Sequence, residues 1–360
     1  MSTSTRKLHD LGQSLWLDNI SRDLLTSGTL QRYVSEFNVT GLTSNPTIFE
    51  KAIAGGSSYD QAIAELVRQG KSGEDLFFEL AMQDLRQAAD LFRPAFDASG
   101  GVDGWVSLEL SPLLADDTAG SVKTAARLHA AAGKQNLFIK IPGTPAGVPA
   151  IEESIFAGVP INVTLLFSPE QYQAAADAYL RGIERRVAAG RDPKVESVAS
   201  LFVSRWDVAV QDKVAPEFHN RIGIAIAQRT YKAYRDMLGS ERWAKLAKAG
   251  AHPQRLLWAS TGTKDPAASD VLYIEAFAAP DTINTIPEKT LHAFAEHGKV
   301  GAVMAVDGGD AKAVLEQFRG QGVDVAALAE RLQREGAAAF NKSWKELLAR
   351  IDDKRKQLKS

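Results

Sequence analysis

The run Ile161-Asn162-Val163-Thr164-Leu165-Leu166-Phe167, followed at once by Ser168-Pro169-Glu170-Gln171, reads as a strand handing over to a helix. Its apolar residues fall on consecutive as well as alternate positions, as in a parallel strand covered on both faces. Ser168 is a good N-cap, Pro169 suits the first helical position, and Gln171 completes a capping box. Tyr172, Ala175, Tyr179, Ile183 and Val187 then share one helical face, and Gly190 ends the helix.

The same alternation continues in both directions. Runs of strand length precede it at Leu15–Ile20, Val39–Ser44, Trp105–Leu110 and Leu137–Ile141, and follow it at Val198–Val203, Leu256–Ser260 and Thr282–Ile286. Amphipathic segments separate them; one is Ala268–Ala279, with Leu272, Tyr273, Ala276 and Phe277 as its expected buried stripe. Eight such repeats predict an α/β fold, a parallel (β/α)8 TIM barrel. An open doubly wound sheet shares the alternation, but the chain has neither G-x-G-x-x-G nor G-x-x-x-x-G-K-[ST]. Val300–Val306 has the character of a further strand and is read as lying outside the barrel. A barrel takes about 250 residues. The remaining length of this 360-residue chain is assigned to additional helices between strands two and three and after Asp307. Neither region contains a linker, so residues 1–360 are expected to form a single domain.

Composition narrows the function. The chain is 45% hydrophobic and 24% charged, with 28 glycines and 14 prolines, the usage of a globular protein. Its net charge is −2 and no basic stripe is present, so no nucleic-acid partner is expected. The stretch Lys354–Lys359, behind Asp352 and Asp353, reads as a solvated face of a helical tail. The absence of cysteine removes thiol nucleophiles, thiolate metal sites and disulfides, and is compatible with a reducing compartment. Met1–Asp10 is polar, without a signal-peptide core, and the uncharged stretch Ser154–Pro169 is shorter than the roughly 20 residues of a membrane span. A soluble, cytoplasmic protein with no membrane partner is expected. Its apolar pattern leaves monomer and homodimer both open.

In a barrel of this kind the chemistry lies at the C-terminal ends of the strands. Polar residues stand there in otherwise apolar runs: Asp18, Asn45, Glu109, Lys140, Asn162, Thr164, Ser200, Arg205 and the string Ser260-Thr261-Gly262-Thr263-Lys264. Lys140, inside Leu137-Phe138-Ile139-Lys140-Ile141-Pro142, is the sharpest case. A lysine on a sheet edge discourages aggregation, but a closed barrel has no edge. Loss of hydration should move its pKa from about 10.4 towards neutrality. A neutral amine adds to ketones and forms a Schiff base. Asp18 and Glu109 either neutralise Lys140 in a buried ion network or supply the proton transfers that such chemistry needs. The six histidines lack His-x-x-x-His spacing, and a two-carboxylate magnesium site would repel a charged Lys140. Gly262 and Lys264 suit a phosphate; the plainer reading of Lys264 is a solvated loop lysine beside Asp265.

The strings Leu42-Thr43-Ser44-Asn45-Pro46, Phe138-Ile139-Lys140-Ile141-Pro142, Ile161–Phe167 and Phe202–Arg205 together resemble the transaldolase family of Schiff-base aldolases, from Trp16 to about Pro287. The resemblance implies transfer of a dihydroxyacetone unit within the pentose phosphate pathway. The donor would be sedoheptulose 7-phosphate or fructose 6-phosphate, and the acceptor glyceraldehyde 3-phosphate or erythrose 4-phosphate. It casts Lys140 as the Schiff-base lysine and Asp18 as the base that takes the C4 hydroxyl proton. Glu109 would act through a water that Thr164 helps to hold. Asn45 and Asn162 match residues on the dihydroxyacetone hydroxyls, and Thr43 and Ser200 match further polar positions. Arg205 would bind phosphate, with Lys264 where shorter relatives place a second arginine. Neither a metal nor an organic cofactor is implied. One alternative is a related aldolase that releases free dihydroxyacetone; such relatives tend to carry Gln at the Glu109 position and Tyr at the Phe202 position. The other is a non-catalytic barrel that binds sugar phosphates.

Overall fold

A computed structural model of the chain describes residues 3–358. Eight strands form its centre: β1 Ser14–Leu17, β2 Val39–Thr43, β3 Val106–Glu109, β4 Leu137–Pro142, β5 Ile161–Leu166, β6 Ser197–Phe202, β7 Arg255–Ala259 and β8 Ile283–Ile286. They pair in parallel in chain order, and β8 closes on β1. Every run singled out in the sequence contributes a strand. The first is shorter than expected: Asp18 still donates its backbone N–H to Ile286 at 2.8 Å, after which the chain turns into a helix capped by Ser21.

The helix after β5 begins as its sequence predicts. Ser168 accepts from the N–H of Gln171 at 3.1 Å, whereas Gln171 reaches back to the N–H of Phe167, one residue before the cap. Tyr172, Ala175, Tyr179 and Ile183 are buried against the barrel, but Val187 is 40% exposed. The helix expected at Ala268–Ala279 contracts to Leu272–Ala276. Asp265 and Ser269 explain the difference, since their side chains take the N–H groups of Ala267 and Val271 and hold a loop in place of the first helical turns. The face turned inward is correspondingly Val271, Tyr273, Ile274 and Phe277, with Leu272 and Ala276 only partly covered. Val300–Val306 forms no strand; its Met304 N–H bonds the Ala278 carbonyl at 2.9 Å.

The additional length is helical where expected. Pro46–Ala54, Asp60–Arg68 and Gly73–Ala98 connect β2 to β3, and Ala311–Gly320 and Val325–Gln357 follow the barrel. The last helix, called the C-terminal helix below, runs along Pro46–Ala54 to the C-terminal end of β5. Trp344 fixes it: the indole packs edge-on against Phe77 with centroids 5.0 Å apart and donates to Glu74 at 2.8 Å. Lys354–Arg355–Lys356 carry ion pairs to Asp60 and Asp352, in keeping with a charged helical face; Lys359 lies outside the described residues. No helix among the described residues is long and apolar enough to cross a membrane. At the N-terminal end of the barrel Arg255 is spent on Ser14, Thr282 and Val102. The opposite mouth holds the polar groups taken up next.

Candidate active site

Barrel register sets Glu109 beside Lys140 and Lys140 beside Asn162 on successive strands. Lys140 is only 6% exposed. Its Nζ donates to the Ser44 carbonyl at 3.0 Å and to Glu109 Oε2 at 3.2 Å. Asp18, at the end of β1, accepts from the Thr43 hydroxyl at 3.0 Å, and Thr43 is bonded in turn to Thr285 at 2.6 Å. Burial pushes both the Asp18 and the Glu109 carboxyls up from the ordinary carboxylate range, while the charge of Lys140 pulls each down. A buried lysine therefore bonds one of two buried carboxyls that hold protons more readily than surface acids do, an arrangement suited to proton exchange.

Asp18, Thr43, Asn45, Lys140, Thr164, Ser200, Arg205 and Lys264 all line one cavity of about 130 Å³ at the strands' C-terminal ends. Glu109 and Asn162 lie beneath it, Glu109 on Lys140 and Asn162 between the hydroxyls of Ser107 (3.1 Å) and Ser200 (2.7 Å). Asn45 has a structural task as well. Its Oδ1 caps the helix Pro46–Ala54 through the N–H of Ile48 at 3.0 Å, and no side-chain bond among the described residues occupies its amide nitrogen. The Thr164 hydroxyl is buried without a protein hydrogen-bond partner.

Two cations close the outer end. Arg205, in the first turn of the helix Ser204–Val210, lies 5.3 Å from the ring centre of Phe202 and 6.0 Å from that of Phe340. Burial lowers its pKa and Glu109 opposes that shift. Lys264 folds back over Gly262, where a Cβ would meet its Nζ at 3.6 Å and Pro287 at 3.1 Å. Among the described residues neither cation has a carboxylate within ion-pair distance, so both are available to an anion.

Ser260, Thr285 and Phe340 are among the lining residues that were not singled out as site residues in the sequence. Thr285 had a signal, as a hydroxyl in an apolar run. Ser260 appeared only within its loop string; its backbone is left-handed, φ 57°, and its hydroxyl meets that of Ser204 at 2.9 Å. Phe340 comes from the C-terminal helix and nothing local marks it.

Asp207, on the helix of Arg205, was also unforeseen. It accepts from Tyr273 at 2.7 Å and from the Gly223 N–H at 3.4 Å, tying that helix to the segment beyond Lys264. Burial pushes its carboxyl from 3.8 up to about 6. A carboxyl raised in the folded state stabilises it fully below the unfolded pKa and loses that contribution as pH rises through the folded one. Relative to Asp207→Asn, the wild type should therefore gain about 2 kcal/mol between pH 7 and pH 4. Urea midpoints at both pH values check this; an unchanged difference between the two proteins contradicts it.

Fold and site together define a (β/α)8-barrel enzyme built around a buried lysine with two acids and an anion-ready mouth. Comparison with known proteins narrows that class. The family model described as Transaldolase/Fructose-6-phosphate aldolase matches residues 15–351. The transaldolase of Renibacterium salmoninarum is 45% identical, covering 98% of this chain and 97% of the relative. The transaldolases of Parafrankia sp. and Thermobifida fusca are each 44% identical, covering 98% of this chain and 98% of each relative. The chain belongs to the transaldolase/fructose-6-phosphate aldolase family.

Proposed function

We propose that this chain is a transaldolase that moves a dihydroxyacetone unit between sugar phosphates, with residues 1–360 acting as one cytoplasmic catalytic unit. The observation that carries the reading is Lys140, buried in hydrogen-bonding contact with Glu109, in the cavity that Asp18 also lines and two unpaired cations close. The Lys140 amine adds to the ketone carbon of fructose 6-phosphate or sedoheptulose 7-phosphate. Proton transfers between Glu109 and the carbinolamine, through a water held by Thr164, expel that oxygen as water and leave an iminium ion. Asp18 then takes the C4 hydroxyl proton. The C3–C4 electrons flow into the iminium, forming an enamine on Lys140 and releasing an aldehyde. Erythrose 4-phosphate or glyceraldehyde 3-phosphate reverses the sequence, and water frees the product ketose and the amine.

The partitioning of the enamine tests this reading. With fructose 6-phosphate, turnover should depend on added erythrose 4-phosphate and yield sedoheptulose 7-phosphate. Acceptor-independent release of free dihydroxyacetone would instead make the chain an aldolase.

Arg205 and Lys264 are assigned to the substrate phosphate. Arginine offers a planar fork, whereas Lys264 acts as a mobile point charge. Because Lys264 is exposed, its contribution is set at about 1.5 kcal/mol, the low end for a charged hydrogen bond. Lys264→Ala should raise the KM for fructose 6-phosphate about tenfold and leave unphosphorylated fructose unaffected. Equal losses on both sugars would remove Lys264 from the phosphate site.

A further inference from the structure

Thr164 stands in a β-bulge. Val163 faces Ala199 and Leu166 faces Leu201, so Thr164 and Leu165 together oppose Ser200 alone. Leu165 takes a left-handed backbone, φ 59°, which a residue with a branched side chain adopts only when its surroundings impose it. Such bulges re-aim side chains beside active sites, and they leave the extra residue outside the regular ladder.

The Leu165 carbonyl is met from far along the chain. Gln333, on the C-terminal helix and 9% exposed, donates one Nε2 hydrogen to Leu165 O at 3.0 Å and the other to Gly143 O at 2.9 Å. Gly143 in turn donates its N–H to the Thr164 carbonyl at 2.7 Å. One side-chain amide thus holds the carbonyl that follows Thr164 and, through Gly143, the residue bonded to the Thr164 carbonyl, and so joins the ends of β4 and β5. The next turn of the helix presses on the same place, where Gly336 permits a close approach. A Cβ there would come within 3.0 Å of Leu165 Cδ2 and 3.2 Å of Arg205 Nη1. The Thr164 hydroxyl, buried and without a protein partner, lines the cavity of Lys140.

We propose that Gln333 is a positioning residue of the reaction: it holds the β5 bulge in the conformation that aims the Thr164 hydroxyl into the Lys140 cavity. The C-terminal helix is then part of the catalytic machinery, acting through backbone carbonyls. The inference rests on the reading of Thr164 as the group that holds the water for proton transfer at Lys140.

The test uses the full chain as Gln333→Met, Thr164→Val and the double variant. Imine formation with fructose 6-phosphate is followed by borohydride quenching in single turnover, and KM and kcat are measured alongside. Gln333→Met, which keeps the volume and removes the donors, should slow imine formation roughly 10- to 100-fold, as misplacement by about 1 Å does. KM should stay within about twofold, and the variant should add little to the slowing already present in Thr164→Val. A merely structural glutamine would change stability or all steps alike, and its effect would add in full to that of Thr164→Val. Wild-type imine formation by Gln333→Met, with Thr164→Val slow, overturns the role of Gln333 alone. Wild-type imine formation by Thr164→Val overturns the reading of Thr164 and this inference with it. If the Met variant does not accumulate folded, Gln333→Glu, which keeps one donor when protonated, is read by the same criteria.

Discussion

Lys140→Met is expected to lower transfer from fructose 6-phosphate by at least about 10⁴-fold, the scale of loss when a covalent nucleophile is removed. Lys264 lines the same cavity, but only the Lys140 amine is held at a fixed point by Ser44 O and Glu109. The same substitution separates catalysis from structure. Removing one member of a buried pair strands the other, at a cost of about 3–5 kcal/mol unless Glu109 takes up a proton. Adding Glu109→Gln to Lys140→Met should restore part of that stability, since the carboxyl bonded to the lysine is then neutral and Asp18 alone still loses the lysine's charge. It should restore no activity. If activity returned with stability, the lysine would be a member of a buried ion network and nothing more.

Asp18→Asn is the second large effect, a loss of order 10²–10⁴ in turnover, as for removal of a general base. The amide can still accept from Thr43 but cannot take the C4 hydroxyl proton. Imine formation should therefore survive while carbon–carbon cleavage fails, and the intact hexose phosphate should accumulate on the enzyme. Glu109→Gln should do the reverse and slow imine formation and hydrolysis. Rapid-quench measurement of each step decides the matter; two variants stalled at one step would refute this division of the acids.

Why was so much of this legible in sequence, and what was not? Strands buried on both faces need continuous apolar residues, so Ile139-Lys140-Ile141 and Ile161-Asn162-Val163 expose any polar intruder by contrast. That contrast located Lys140, Glu109, Asp18 and Thr164 through local composition alone. The helix expected at Ala268–Ala279 failed for a local reason too, since Asp265 and Ser269 offer the backbone better bonds than a helical turn would. The bulge at Thr164–Leu165 left no such trace. It depends on Gln333, 168 residues away along the chain from Leu165, and on Gly336, in a helix whose spacing announces neither. Phe340 is likewise one apolar residue among many on that helix, and it enters the site only because Trp344 and Phe77 fix the helix across the barrel.

Covalent trapping tests the central claim most directly. Borohydride reduction during turnover of fructose 6-phosphate, followed by proteolysis and mass mapping, should place a three-carbon dihydroxyacetone adduct on the peptide containing Lys140. The same treatment of Asp18→Asn should place the unbroken hexose phosphate there. An adduct on any other lysine, or active enzyme that yields no reducible adduct, would contradict the account.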